Sequence, residues 1–332
     1  MFENIEDFDG KFNWVAQLQA EDFETAALTV FRFQAEKNPV YRAYLKAIGC
    51  QPPLVSHSSA IPFLPISFFK SHKVLCEGFE ADLYFESSGT TATGNSRHYL
   101  PEPALYEACF RYYFQQFYGL PEDYVFLCLL PNYLERGHSS LVYMAKDLIE
   151  KSNHPESAFY LHNFEKLAQT LKGGIAAGKK VILLGVTFAL LDFAEAYPMD
   201  LSSVVVMETG GMKGRREEWT RAQVHDYLKK QWQLPAVHSE YGMTELFSQA
   251  YAYADGLYRT KGLMRVSVRE ETDPLSNAVS GKGCLNITDL GNLFSCAFIA
   301  TDDLGIVHSD GRFEVRGRVD YAALRGCSLM VV

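Results

Sequence analysis

Residues 81–98 read ADLYFESSGTTATGNSRH. A short extended run, Leu83-Tyr84-Phe85, opens into Ser87-Ser88-Gly89-Thr90-Thr91, and Gly94 and the basic Arg97 follow. Such a loop offers many hydroxyl and backbone N–H donors to one compact anion. Glycine permits the close approach and left-handed torsions that an anion cradle needs. The natural guest is a polyphosphate. The spacing G-x-x-x-x-G-K-[ST] is absent, so this is not a Walker A loop. Taken alone, a Ser/Thr-Gly cluster is equally well an ordinary turn.

Three further segments bear on that choice. Glu240-Tyr241-Gly242-Met243-Thr244-Glu245 follows the apolar Leu234-Pro235-Ala236-Val237. Ala300-Thr301-Asp302-Asp303-Leu304-Gly305 and Gly317-Arg318-Val319-Asp320 stand near the C-terminus. Together with the loop, and in this order, they resemble the core motifs of the adenylate-forming superfamily, which includes acyl-CoA synthetases and phenylacetate-CoA-ligase-like enzymes. The tail Ala323-Leu324-Arg325-Gly326-Cys327-Ser328-Leu329 and the segment YLERGHSSLVYM at 133–144 are similar to LuxE-type acyl-protein synthetases, which end shortly after a cysteine that carries the acyl group. The resemblance covers about residues 60–332.

The resemblance implies an α/β fold of largely parallel sheets flanked by helices, with a β-rich subdomain. It also implies ATP and Mg²⁺, and a reaction that joins a carboxylate to the α-phosphate and expels pyrophosphate. Ser87, Ser88, Gly89, Thr90, Thr91 and Gly94, with Arg97 beside them, would hold the outer phosphates. The family's usual glycine after the two threonines is Ala92 here, and its usual lysine is Arg97, which can still grip phosphate bidentately. Gly210 and Gly211 would line adenine, and so would Tyr241 with Gly242 and Met243. Thr244 would donate to the α-phosphate and Glu245 would hold Mg²⁺ through oxygen. Asp303 would accept from the ribose hydroxyls, with Asp302 as a neighbouring alternative, and Arg318 would reach the nucleotide from the hinge side. Cys327 would carry the acyl group, because a thiolate is a good acceptor and the nearby Arg325 favours it.

The chain ends soon after Asp320, so the resemblance implies a lid domain that is missing or vestigial, with no lysine after Asp320 to serve the adenylate. The expected acid is a fatty acid. The expected acceptor is Cys327 and then a partner such as an acyl reductase. Two alternatives stand beside it: CoA or an acyl-carrier protein as acceptor, and a nucleotide- or acyl-AMP-binding module without turnover.

Composition sets the outer bounds. The chain has 332 residues, 48% hydrophobic and 21% charged, which is ordinary for a globular protein. A net charge of −9 gives no support to a nucleic-acid partner. No apolar run is long enough to span a membrane. The acidic start MFENIEDFDG lacks a signal peptide's features. Seven cysteines without CxxC spacing argue for a cytoplasmic location and against zinc.

Periodicity supplies the elements. Phe12, Val15 and Leu18, then Phe23, Ala27, Val30 and Phe31, recur at helical spacing. Pro52-Pro53 and Ile61-Pro62-Phe63-Leu64-Pro65 read as an extended connector. Strands are expected at 124–130, 158–161, 180–186 and 202–208, alternating with helices at 141–151, 164–177, 188–196 and 216–232. Beyond 258 short strands are expected at 263–269, 283–288, 294–300 and 313–316. The expected division is 1–80 (helices and connector), 81–257 (nucleotide-binding core), 258–316 (β-rich subdomain) and 317–332 (lid remnant). Gly137-His138-Ser139-Ser140 begins like a hydrolase elbow, but Leu141 stands where glycine is required, and Ser139 or Ser140 reads as a helix cap. His138 is read as an acyl-pocket residue or a packing residue.

Overall fold

A computed structural model describes residues 23–87, 94–130, 137–161, 163–210 and 219–319. Helices α1 (Phe23–Lys37) and α2 (Pro39–Ala47) lead to β1 (Leu64–Pro65) and the short α3 (Phe68–Ser71). The hairpin β2 (Leu83–Glu86) and β3 (Arg97–Leu100) follows, then α4 (Pro103–Tyr118). Strand and helix then alternate: β4 (Tyr124–Leu129), α5 (Ser140–Ser152), β5 (Ala158–Phe159), α6 (Phe164–Ala176), β6 (Lys180–Val186), α7 (Thr187–Ala196), β7 (Val205–Thr209), α8 (Arg221–Trp232), β8 (His238–Tyr241) and β9 (Ala250–Ala252). The last strands are β10 (Leu257–Tyr258), β11 (Met264–Arg269), β12 (Gly281–Asp289), β13 (Phe298–Val307) and β14 (Phe313–Arg318).

The first sheet has the order β5-β4-β6-β7-β8-β9. All its pairings are parallel except that of the edge strand β9, which runs antiparallel to β8. A parallel strand covered on both faces reads as a continuous apolar run, and Val181–Val186 is buried at every position. Helix α7 is buried nearly all round for the same reason, its FALL segment lying directly against β6. Ser139 caps α5 by accepting from the Val142 N–H at 3.3 Å, so the G-H-S-S segment is a helix start. No helix among the described residues is long and apolar enough to cross a membrane.

The second sheet is antiparallel in the order β10-β14-β13-β12-β11, and β1 joins β13 in parallel. The connector before the hairpin thus contributes a strand as well as turns. Two differences from the sequence reading have identifiable causes, one local and one distant in the chain. Strand β7 begins at Val205, because Ser202 takes an Asx-type turn, its N–H donating to Asp200 Oδ1 at 2.9 Å. Strand β13 begins at Phe298 and not at Phe294. Gln34 of α1 donates to the carbonyls of Asn292 and Leu293 and accepts from the Ala297 N–H, and Asn38 donates to Ser295 O. Buried side chains of α1 therefore satisfy the backbone of 292–297 as a turn, where apolar pattern alone reads strand.

Candidate active site

Strand β13 alternates between burial and partial exposure from Asp302 onward, and Asp303 lies on the buried face with 4% exposure. Asp302 points to the other face, and its carbonyl accepts from the Val319 N–H at 2.9 Å. A register shift between β13 and β14 leaves Asp303 opposite Arg318 while Gly305 stands opposite Val315. Arg318 Nε donates to Asp303 Oδ1 at 2.7 Å. The carboxylate is shielded (6% exposed) whereas the guanidinium side chain is 72% exposed. The bulge thus aims an arginine at a carboxylate held at the mouth of the core.

Strand β8 delivers the other half. Tyr241, its last residue, donates its hydroxyl to Asp303 Oδ2 at 2.7 Å. The ring is nearly buried, edge-on to Phe313 and tilted against Tyr258. A Cβ on Gly242 would lie 2.6 Å from Glu240 Oε1, at the end of the Glu240 side chain. Leu246 N–H donates to Met243 O at 3.1 Å, which closes a turn through Thr244 and Glu245. Glu245 is 5% exposed. Burial raises its carboxyl above the ordinary range, while a hydrogen bond from Ser96 and the charge of Arg318 oppose that shift. Asn292 Nδ2 donates to the Glu245 carbonyl at 2.6 Å, which ties this turn to the second sheet.

The hairpin presents the Ser/Thr-Gly loop. Ser87 N–H donates to Ser96 O at 3.0 Å and Ser87 Oγ accepts from Ser96 N–H at 2.9 Å, so these residues close the loop's base. Ser88, Gly89, Thr90 and Thr91 lie outside the described residues, as do Gly211, Asp320 and Cys327. Gly94 adopts φ +87°, a torsion that favours glycine. Arg97 pairs with Glu86 at 3.0 Å and sits 5.2 Å from the centre of the Tyr84 ring. Lys70, His72, Lys73, Glu86, Gly94 and Arg97 line an open groove of about 520 Å³ beside this hairpin. His138 stacks on Tyr84 with ring centres 4.2 Å apart.

Gly210 follows β7 with φ +78°, and its carbonyl accepts from Thr187 Oγ1 at 3.1 Å. Beneath it lies a group that motif reading passes over. Glu208 is buried, accepts from Thr187 Oγ1 at 3.1 Å and Arg221 Nε at 3.2 Å, and has His225 Nε2 at 3.5 Å. Arg221 also donates to Val315 O at 2.9 Å, joining α8 to β14. Next to Glu208 on the neighbouring strand, Glu240 accepts from Thr209 Oγ1. Burial pushes its carboxyl up to about 7. Of the cysteines outside the tail, Cys76, Cys109, Cys128, Cys284 and Cys296 are buried and Cys50 is half-buried.

Tyr241, Asp303 and Arg318 therefore meet directly, Glu245 and Ser96 adjoin them, and β3 brings the loop base to the same place. A long-chain-fatty-acid–CoA ligase from Archaeoglobus fulgidus superposes with a TM-score of 0.52 at 15% identity, over 74% of this chain and 53% of that one. The fold is that of the adenylate-forming enzymes. Two further likenesses are weaker. One is the O-succinylbenzoate coenzyme A synthetase of Bacillus subtilis in complex with ATP and magnesium ion (TM-score 0.48, 16% identity, 71% of this chain and 49% of that). The other is a four-domain nonribosomal peptide synthetase bound to AMP and glycine (TM-score 0.49, 13% identity, 72% and 18%). The chain spans about half the length of the first two, at 53% and 49%. No family model and no curated protein matches it.

Proposed function

We propose that this chain activates a carboxylic acid as an acyl-adenylate, consuming ATP and releasing pyrophosphate. The observation that carries the reading is the meeting of residues from three separate motifs, Tyr241 and Arg318 each hydrogen-bonding one carboxylate oxygen of Asp303. In the reaction an acid oxygen attacks the α-phosphorus, a P–O bond forms, and the bond to the pyrophosphate oxygen breaks. Asp303 would accept the ribose hydroxyls in place of its present donors. Arg318, largely exposed, would turn toward the nucleotide's negative charge. Tyr241, Gly242, Met243 and Gly210 would border adenine, Thr244 would donate to the α-phosphate, and the loop with Ser87 and Gly94 would hold the outer phosphates.

Glu245 fits a cation: a buried carboxylate whose charged form is disfavoured by burial gains from a metal beside it. Mg²⁺ is commonly held by one or two carboxylates together with substrate phosphates, so one glutamate is a sufficient protein ligand. When bound it would neutralise the phosphate charge that otherwise repels the acid. The finer reading is that the acid is a fatty acid, that Cys327 takes the acyl group by attack on the adenylate carbonyl with AMP leaving, and that a partner such as an acyl reductase receives it in the cytoplasm. We take 81–257 as the nucleotide-binding core, 258–316 as its β-rich companion and 317–332 as the segment that carries Cys327.

Acid-dependent ATP–pyrophosphate exchange over a panel of acids tests the reading. Exchange with at least one acid is expected, and its absence with all of them removes acid activation. The Cys327→Ser variant separates the two stages. Exchange should persist, because the thiol plays no part in it, whereas covalent labelling by radioactive acid plus ATP should vanish, a serine hydroxyl being a poor nucleophile without a base. Equal labelling of Cys327→Ser and native chain would transfer the acceptor role to CoA or an acyl-carrier protein.

A further inference from the structure

We infer that His98, together with Ser96, positions the Thr244–Glu245 turn against the hairpin that presents the phosphate loop. This rests on the acid-activating reading of the site. The pleat of β3 places Ser96, His98 and Leu100 on one face, all of them buried, and the exposed Arg97 on the other. That inward face meets the turn at two successive points. His98 Nδ1 lies 2.8 Å from Thr244 O, and Ser96 neighbours the Glu245 carboxylate, whose pKa it helps to lower.

The imidazole's state follows from its partners. A carbonyl only accepts, so Nδ1 carries the proton and Nε2 is left with a lone pair. Burial pushes the pKa down to about 4, so the ring is neutral near pH 7. It is fully buried, edge-on to Phe69 with centres 5.8 Å apart and 5.0 Å from the centre of Phe247. Its Nε2 has no partner among the described residues. A buried polar atom left unpaired is unfavourable. A residue that only filled the space between two phenylalanines would carry no nitrogen at all, so the imidazole's gain lies at Nδ1.

The two contacts form a continuous path. The loop's base is closed by the Ser87–Ser96 pair, Ser96 reaches the carboxylate assigned to Mg²⁺, and His98 holds the carbonyl of the residue assigned to the α-phosphate. Without this link, Thr244 and Glu245 depend on Asn292 and on the Met243–Leu246 bond for their place, and neither comes from the hairpin. The phosphate loop and the metal ligand would then lose their fixed relation. A misplacement of about 1 Å in a reacting assembly can reduce rate by ~10²-fold.

The test uses the full chain and three variants. His98→Phe keeps a ring and removes both nitrogens. His98→Asn puts an amide donor near the position of Nδ1. Ser96→Ala removes the hydroxyl that neighbours the Glu245 carboxylate. Exchange rates are measured against ATP, acid and Mg²⁺, with thermal midpoints alongside. We expect His98→Phe to lower kcat by about 10–100-fold at unchanged KM for the acid, and His98→Asn to recover most of that loss. Ser96→Ala should raise the Mg²⁺ concentration for half-maximal rate several-fold. A merely structural role would lower the amount of folded enzyme and leave its Mg²⁺ dependence unchanged. Native kcat in His98→Phe, or a loss that His98→Asn does not recover, overturns the inference; should His98→Phe not fold, a native Mg²⁺ dependence in Ser96→Ala does so. If the native chain exchanges with no acid, the site reading fails separately, and calorimetric Mg²⁺–ATP binding decides the link. Weakening in both Ser96→Ala and His98→Phe supports it, and native affinity in either, or no ATP binding by the native chain, removes it.

Discussion

Asp303 serves two donors at once, one on each carboxylate oxygen: the Tyr241 hydroxyl and the Arg318 guanidinium. Asp303→Asn keeps an oxygen for one of them and loses the charge that holds the other. Hydrogen bonds to charged groups contribute ~1.5–3 kcal/mol, so KM for ATP should rise at least ~10-fold; the KM for the acid should stay put. Equal changes in both would remove Asp303 from the nucleotide side of the site. Glu245→Gln keeps size and loses the charge proposed to hold Mg²⁺; we expect exchange to fall by ~10²-fold or more, and Mg²⁺-dependent exchange at the native rate would exclude Glu245. Glu240 makes a pH prediction. Its folded pKa, about 7, lies above the ordinary value of 4.5, so the native state holds a proton that the unfolded chain releases. Stability then falls as pH rises from about 4.5 to 7, by about 3 kcal/mol in total. His98 and His238 act oppositely: each is pushed down to about 4 from 6.5, so they withdraw stability as pH falls through that window. Glu240→Gln should leave the histidine slope and abolish the glutamate one, seen as a thermal midpoint that rises more steeply with pH between about 4.5 and 7 than the native chain's. An unchanged profile would mean that Glu240 is ionised in the folded chain at lower pH.

At the scale of elements, the second sheet depends on close backbone approach. A Cβ on Gly283 would lie 2.1 Å from the Arg269 carbonyl oxygen, and one on Gly305 would lie 2.3 Å from the Glu314 carbonyl oxygen. Both obstacles are backbone, which cannot swing aside as a side chain can. Gly283→Ala should therefore destabilise the chain by about 1–3 kcal/mol, measured as a shift in denaturant midpoint, and Gly305→Ala should lower ATP affinity as well, since it stands two residues from Asp303. Native stability in Gly283→Ala would show that the strand can move away. The parallel strands were legible in sequence because a strand covered on both faces is apolar at every position, as Val181–Val186 is. The start of β13 was not legible, because the side chains that hold 292–297 as a turn come from α1, some 250 residues earlier in the chain.

At the scale of the molecule, two sheets of different kinds supply different halves of the site. The parallel sheet delivers Tyr241 and the Thr244–Glu245 turn at the end of β8, the position where α/β sheets commonly bind ligands. The antiparallel sheet delivers Asp303 and Arg318 by cross-strand pairing. Contacts such as Arg221 with both Glu208 and Val315 O tie the two together. Arg221→Ala should therefore weaken ATP binding without touching the nucleotide, through loss of the tie and through an uncompensated buried Glu208, which is strongly destabilising at ~3–5 kcal/mol. Arg221→Lys keeps the charge but not the fork that reaches both partners, and should recover stability more than it recovers ATP affinity. If it recovers both equally, the tie does not govern the site.

What the sequence determined by itself was local: the alternation of strands and helices from 124 to 232, the apolar strands, a serine cap at 139 or 140, and the four motifs whose residues are short-range signatures of turns and strand ends. Periodicity carries that information because it depends on neighbours a few positions away. Only the tertiary structure decided which of Asp302 and Asp303 faces inward, that Arg97 is paired with Glu86, and that His98 meets the carbonyl of Thr244. Each of these depends on register. Asp303 meets Tyr241 across 62 residues and His98 meets Thr244 across 146, and a one-residue slip in β13 or β3 would turn each side chain to the opposite face. Local propensity does not specify which strand lies opposite which; packing of the two sheets around a shared core does.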